Sequence, residues 1–317
     1  PTTTPAAPKR KASRRVMGQV RRMPPLYPHR RRAVKGLAQL LMTAEVQTLQ
    51  ADQGIVGRTD ELTELLACVK AERHVLLEGP VGVGKTVLAR AVAKSLGRGM
   101  ERIDGDGRYT EARLVGAFDP PVVLERGYVP EAFEPGPLAK AMAEGAVLFI
   151  NELNRMPEGV QNVLLPALDE GVLQVPHFGE IQAKEGFAVI ATQNPAEFVA
   201  TGNLAEALLD RFELVRLDYQ SAEEEQLIVA QDTRCAPGAD IIERAVKMVR
   251  ATRFHPRVRR GASIRAAVAI ADLAVQLDGD VDRAARLALP TRIELFDPRE
   301  TRLSQLLDDL KKKASAP

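Results

Sequence analysis

Gly79-Pro80-Val81-Gly82-Val83-Gly84-Lys85-Thr86 decides how this chain is read. Glycines at 79, 82 and 84 allow a backbone tight enough for successive N–H groups to converge on one anion, and a following helix would direct its positive end at the same point. Lys85 adds a full positive charge for the β- and γ-phosphates of a nucleotide, and the Thr86 hydroxyl is placed to ligand a magnesium ion bridging them. Gly79, Pro80, Val81, Gly82, Val83, Gly84, Lys85, Thr86 and Val87 therefore form the expected cradle.

Such a cradle must leave a buried strand and open a helix. Residues His74 to Glu78 form a short apolar run with strand character, and Leu88, Val92 and Leu96 recur at four-residue intervals until Gly97 ends the pattern. Upstream, Ile55-Val56-Gly57-Arg58 precedes a helix over Asp60 to Val69; Val56 and Gly57 read either as a flank for the adenine or as a packing turn. Leu37, Leu40, Leu41, Ala44 and Leu49 fit one face of a helix from Ala33 to Leu49.

Downstream, strand-like runs at Glu101 to Asp104, Ala146 to Ile150, Phe187 to Thr192 and Leu214 to Tyr219 alternate with helical stretches, which implies a parallel sheet covered on both faces. Two segments interrupt the alternation. Asp119 to Pro137 is rich in Pro and Gly, with Glu125-Arg126-Gly127-Tyr128 at its centre as a hairpin turn, and Gly171 to Lys184 reads as a second hairpin around His177-Phe178-Gly179. Both are read as moving or partner-facing loops. Ser221-Ala222-Glu223-Glu224 has capping-box spacing. From about Gly238 the pattern becomes wholly helical, with helices expected over Ile241 to Phe254, Ser263 to Leu277, Val281 to Leu289 and Arg299 to Lys311.

The strand Val147 to Ile150 runs into Asn151 and Glu152 at its carboxyl end, where open α/β sheets place their ligands. Glu152 is expected to orient and deprotonate an attacking water. Asn151 stands where a carboxylate would support the magnesium ion; its amide oxygen accepts a hydrogen bond from a metal-bound water but carries no charge. One strand later, Asn194, in Ala191-Thr192-Gln193-Asn194-Pro195, is expected beside the γ-phosphate. Arg211, in Leu209-Asp210-Arg211-Phe212, is either a helix-end cation or an arginine finger for a neighbouring subunit. Arg265, in Gly261-Ala262-Ser263-Ile264-Arg265, begins a lid helix and is placed to reach back to the γ-phosphate.

At 317 residues, 45% hydrophobic and 27% charged, the chain has the composition of a soluble globular protein long enough for two domains. No apolar run approaches the roughly 18 residues a membrane helix needs. Two cysteines without metal or redox spacing fit a reducing compartment, from which a cytoplasmic location is expected. Four histidines form no zinc pattern. Eleven of the 44 Lys and Arg residues and none of the 42 Asp and Glu fall within residues 1–44, so a formal net charge of +2 conceals a basic segment on an acidic body. Residues 1 to about 32 are expected to be disordered alone. They read as a solvated arm, a nucleic-acid contact, a transit-peptide-like leader, or sequence upstream of a start at Met17 or Met42. Three parts are expected: a basic tail over 1–44, a nucleotide-binding domain over 45–236 and a helical lid over 237–317.

The order of these elements resembles the AAA+ ATPases, and within them the MoxR type. The resemblance is carried by Gly79 to Thr86, Glu134-Pro135-Gly136-Pro137-Leu138, Leu148 to Arg155, Ala191 to Pro195, Leu209 to Phe212 and Gly261 to Ala266, within roughly residues 52 to 295. It implies an α/β P-loop fold, a five-stranded parallel sheet in the order 5-1-4-3-2 followed by an all-α lid. It further implies a helix-two insert near Phe118 to Pro135 and a pre-sensor hairpin near Gly171 to Lys184. ATP with Mg²⁺ is expected between subunits of a hexameric ring, with Asn194 as sensor one, Arg211 as finger and Arg265 as sensor two.

Family members act as chaperone-like remodellers, often beside a partner with a von Willebrand factor A domain, and the magnesium chelatase ATPase subunits are close relatives. Two other functions stand beside this one: a nucleic-acid motor or loader using the basic arm, and a slowly hydrolysing nucleotide-gated module, suggested by Asn151 in place of the family's aspartate. Pro166 is a second departure, expected to bend the helix over Glu158 to Asp169.

Overall fold

The computed structural model describes residues 28–194, 204–297 and 303–314. The expectation of disorder falls mostly on residues outside that set, but helix α1 (Pro28–Gln53) already covers residues 28–32. Pro1–Met42 and Thr43–Pro317 are separate compact units. In the larger unit, Val46 and Leu49 of α1 are buried, and Gly54 to Arg58 leads into α2 (Thr59–Lys70).

Strand β1 (His74–Glu78) delivers the chain to the glycine loop, and α3 (Lys85–Ser95) leaves it. Then follow β2 (Met100–Asp104), α4 (Glu111–Val115), β3 (Gly116–Phe118), α5 (Pro120–Arg126), β4 (Phe133–Pro135) and α6 (Pro137–Glu144). The chain continues through β5 (Val147–Asn151), α7 (Glu158–Asn162), α8 (Leu164–Asp169), the hairpin β6 (Val172–Val175) and β7 (Gly179–Gln182), β8 (Ala188–Gln193), α9 (Glu206–Leu209) and β9 (Phe212–Arg216). The principal sheet has the order β2-β5-β8-β1-β9, every pair parallel. Read from the other edge, this is the expected 5-1-4-3-2. Val147, Leu148, Phe149 and Ile150 are fully buried, as a strand covered on both faces requires, each contributing roughly 1.5–3 kcal/mol by leaving water.

Several local expectations change. The last sheet strand starts at Phe212 rather than Leu214, because Phe212 pairs in register with His74. The chain reverses at residues 125–128 as expected, but not as a tight hairpin: α5 ends there, and Gly127, with φ 79°, turns the chain back so that β4 pairs antiparallel with β3. The expected bend at Pro166 is a complete break, with α7 and α8 separated at Val163. Proline lacks the N–H that would have bonded to the carbonyl of Asn162.

The two interruptions of the α/β pattern are clasped together. Tyr128 stacks on His177 with ring centroids 4.1 Å apart and planes 15° apart. Phe118 meets Tyr128 edge-on, and Phe133 meets Phe178 at 4.6 Å. Aromatic pairs of this kind contribute about 0.5–1.5 kcal/mol each beyond their buried area.

After α10 (Ala222–Asp232), opened by the Ser221–Glu224 capping box, the chain forms α11 (Ala239–Arg253), β10 (Val258–Arg260), α12 (Ile264–Gln276), α13 (Val281–Ala288), β11 (Glu294–Leu295) and α14 (Leu303–Ala314). The region is not wholly helical: β10 and β11 pair antiparallel. The expected helix at Arg299 begins at Leu303 among the described residues. The core of this helical region is rich in alanine, nine of its 22 described buried residues, which lets helices approach closely between larger Val, Ile and Leu side chains. The sheet has a separate core of Leu, Ile, Val and Phe.

Candidate functional site

The glycine loop closes around its own lysine. Lys85 Nζ donates to the carbonyls of Gly79 at 2.6 Å and Pro80 at 2.9 Å, which holds the ammonium at the mouth of the cradle. Gly82 and Gly84 have φ of 83° and 97°, a region costly for side-chain-bearing residues. A Cβ on Gly82 would lie 2.4 Å from Ser263 Cβ, so the loop and the start of α12 touch only because this residue is glycine.

A cavity of about 210 Å³ follows the loop. Val81, Gly82, Gly84, Lys85, Thr86 and Val87 line one side; Asn151, Glu152 and Asn194 approach from the ends of β5 and β8; Arg265 comes from α12. A second cavity of about 260 Å³ is walled by Val56, Val83, Leu88, Ile228 and Ile264, and again by Arg265. Of the expected binding residues, Gly57, Gly79 and Pro80 line neither; the Gly57 carbonyl accepts a hydrogen bond from Gln50 Nε2, and those of Gly79 and Pro80 accept from Lys85 Nζ. The structure thus brings together Lys85, Thr86, Asn151, Glu152, Asn194 and Arg265.

Arg211 stands elsewhere. Its Nε and Nη2 donate to the two carboxylate oxygens of Asp169 at 2.8 and 2.7 Å, and Nη1 donates to the Ala207 carbonyl. Hydrogen bonding from Arg211 holds the Asp169 carboxyl below its ordinary range.

At the β5 terminus, Glu152 adopts a left-handed conformation, φ 58° and ψ 54°, which turns the chain sharply at the sheet edge. Its N–H donates to Thr192 Oγ1 at 2.9 Å, and that hydroxyl donates to Asn151 Oδ1 at 3.2 Å. The Glu152 carboxylate is 3.0 Å from Arg155. Asn151 Nδ2 donates to Asp104 Oδ1 at 2.8 Å, so the uncharged side chain has a carboxylate beside it on the adjacent strand. Arg102 donates to the same oxygen at 2.8 Å, holding the Asp104 carboxyl below its usual range, and lines the phosphate-side cavity.

Sequence reading missed three contributors. Arg102 and Asp104 read in sequence only as strand residues; it is the β2–β5 register, pairing Asp104 with Asn151, that brings them to the site. Arg58, at φ 63°, is buried and donates to the carbonyls of Val83 at 3.2 Å and Asp218 at 2.6 Å, tying the cradle to the segment after β9. Only the Gly57-Arg58 dipeptide signalled it.

Residues 74–212 match the AAA domain (dynein-related subfamily). The uncharacterized protein YeaC of Bacillus subtilis is 32% identical over 242 residues, covering 68% of this chain and 72% of that one. The gas vesicle ATPase GvpN of Haloferax mediterranei is 33% identical over 228 residues, 67% of this chain and 65% of that protein. Among solved structures, the RuvB Holliday junction branch migration motor of Thermotoga maritima is similar at a TM-score of 0.48 and 19% identity, over 73% of this chain and 70% of that one. This chain belongs to the MoxR-type AAA+ ATPases. It binds nucleotide and is an ATPase. No helix among the described residues of this AAA+ ATPase is long and apolar enough to cross a membrane.

Proposed function

We propose that this AAA+ ATPase works as a hexameric ring with a nucleotide between neighbouring subunits, and that its ATP cycle remodels a protein partner. The observation that carries the hydrolytic part is the convergence of Lys85, Thr86, Glu152, Asn194 and Arg265 on one cavity from the loop, two strand ends and a lid helix. The adenine would occupy the neighbouring cavity, where Val56, Val83, Leu88, Ile228 and Ile264 supply apolar wall and Gln220 and Asp232 supply polar groups. Lys85, released from its loop carbonyls, neutralises the β- and γ-phosphates; Glu152, freed from Arg155, takes the proton of the attacking water; Asn194 orients that water, and Arg265 contacts the γ-phosphate.

The oxygen donors gathered in this cavity, the Thr86 hydroxyl, the Asn151 amide and the Glu152 carboxylate, suit a hard divalent cation. Mg²⁺ would be held by Thr86, with Asn151 Oδ1 accepting from its water and the Asp104 carboxylate adding the charge Asn151 lacks. When bound, the ion neutralises developing charge on the phosphates.

Arg211 would complete the site of the next subunit, exchanging Asp169 for a phosphate, since a guanidinium pairs with carboxylate and phosphate through the same two-pronged geometry. The clasped insert and hairpin, with Tyr128, Phe178 and Leu124 exposed, are the surface assigned to the partner. A protein bearing a von Willebrand factor A domain is the partner the family resemblance favours. The reading is tested by turnover with and without such a partner. Stimulation that disappears in Phe178→Ala, with the basal rate retained, supports it; turnover indifferent to every partner offered, or stimulation unaffected by Phe178→Ala, overturns it.

A further inference from the structure

On the far side of the glycine loop lies a third cavity of about 430 Å³. It shares Val81, Asn194 and Arg265 with the phosphate-side cavity, so the two meet where the γ-phosphate is proposed to sit. Its walls carry five arginines, Arg253, Arg259, Arg260, Arg265 and Arg292, and no acidic side chain. Part of this charge is compensated behind the wall: Glu225 pairs with Arg253, and Glu294 pairs with Arg259 and with Arg260. Among the described residues Arg292 donates to the Ala288 carbonyl, a neutral partner, so its charge remains for the cavity.

Two observations point to a bound anion. Arg253 has 4% of its side-chain surface exposed, packed 3.7 Å above the Tyr219 ring and bonded to Glu225 and to the Ala262 carbonyl, yet its Nη2 has no hydrogen-bond partner among the described residues. A buried guanidinium N–H left without an acceptor is costly, and an anion in the cavity supplies one. The thirteen-residue helix α12 also opens at this wall. The Ser263 hydroxyl makes no cap bond, leaving the positive helix end directed at the cavity.

We propose that this arginine-lined cavity is an exit site for inorganic phosphate: orthophosphate cleaved from ATP passes Asn194 and Arg265 and is held by Arg253 Nη2, Arg292 and the start of α12 before it leaves. The proposal rests on the γ-phosphate lying between Lys85, Asn194 and Arg265. Hydrolysis itself supplies the ligand: water adds to the γ-phosphorus, the bond to the β-phosphate oxygen breaks, and the product is a dianion or monoanion of a size and charge this cavity matches. Retained phosphate keeps two lid elements, α11 and α12, bound to the glycine loop, so lid motion follows phosphate departure rather than bond cleavage.

The test uses the full chain loaded with Mg²⁺ and a non-hydrolysable ATP analogue, so that the γ-phosphate position is already filled, and measures binding of radiolabelled orthophosphate by equilibrium dialysis. One phosphate per chain is expected. Arg292→Gln and Arg253→Lys should each weaken it by about tenfold, the loss of one charge-assisted contact, while analogue affinity changes less than about twofold. A second arm distinguishes product from medium phosphate. In single-turnover reactions the lag between ATP cleavage and free phosphate should shorten by about fivefold in Arg292→Gln.

Absence of phosphate binding to the analogue-loaded chain, or equal binding by the variants, overturns the site. Weakened binding with an unchanged lag overturns its role in product exit. Failure of the analogue itself to bind is visible before phosphate is added; it would overturn the nucleotide geometry and this proposal with it.

Discussion

In the nucleotide pocket, Lys85, Thr86, Glu152, Asn194 and Arg265 reach one cavity from distant parts of a single chain, whereas Arg211 lines none of the three cavities around the glycine loop and is held instead by both oxygens of Asp169. The first arrangement assembles on folding. The second holds a guanidinium on a carboxylate by two parallel hydrogen bonds. The contrast teaches that folding one chain is enough to gather the cavity-lining groups, whereas Arg211 is left on a carboxylate outside it, as the proposed contact between chains requires.

Removing that cation is the severest way to probe the contrast. Arg211→Ala should lower turnover per subunit by about a thousandfold while nucleotide affinity stays within a few fold, measured by steady-state phosphate release and nucleotide titration. A comparable loss of binding would place Arg211 in its own chain's pocket. Within the pocket, Glu152→Gln should reduce turnover by about a hundredfold and leave ATP bound, as expected when a base is removed without disturbing the cradle. Retained turnover would assign the proton transfer to another group.

Loosening the clamp gives a smaller effect of opposite sign. Asp169→Asn keeps the shape but removes the charge that competes for Arg211, and turnover at limiting subunit concentration should rise by about two- to threefold. A fall instead would make Asp169 a positioning residue that delivers Arg211 correctly.

The smallest effect belongs to the sheet beneath both regions. His74 is buried between Val189 N–H, which donates to Nδ1, and the Leu168 carbonyl, which accepts from Nε2–H, and burial lowers its pKa from 6.5. The unfolded chain takes up that proton more readily than the folded one. The stability gained from the neutral ring is therefore complete above pH 6.5 and is lost as pH falls through the lower folded value. Urea midpoints measured from about pH 7.5 to 5 should fall more steeply for the wild type than for His74→Gln. Parallel curves would show that the ring does not carry this dependence.

Much of the fold was legible because its signals are local. The glycine loop, the apolar strand runs and the Ser221–Glu224 capping box each have a physical cause within a few residues. Asn194 and Arg265 could be assigned to the pocket because motif order fixes where strand ends and a helix start must lie. What escaped depends on juxtaposition. Gly127 marks a reversal between Glu125 and Tyr128, but nothing in that segment says that a helix, α5, enters it or that the returning chain pairs as β4 with β3. The contact between Asp104 and Asn151 required the register of two strands 47 residues apart. The arginine-lined cavity draws on residues from Pro80 to Arg292, and its central group, Arg253, reads in sequence as an ordinary cation in the last turn of a helix.

If each active site is completed by a neighbour, two inactive variants should restore each other when mixed. Glu152→Gln retains Arg211, and Arg211→Ala retains Glu152. In an equimolar mixture allowed to exchange subunits, about one interface in four pairs an intact pocket with an intact arginine. Turnover, negligible in either variant alone, should recover to about a quarter of the wild-type rate on mixing. A mixture as inactive as its components, under conditions where exchange is demonstrated, would contradict it.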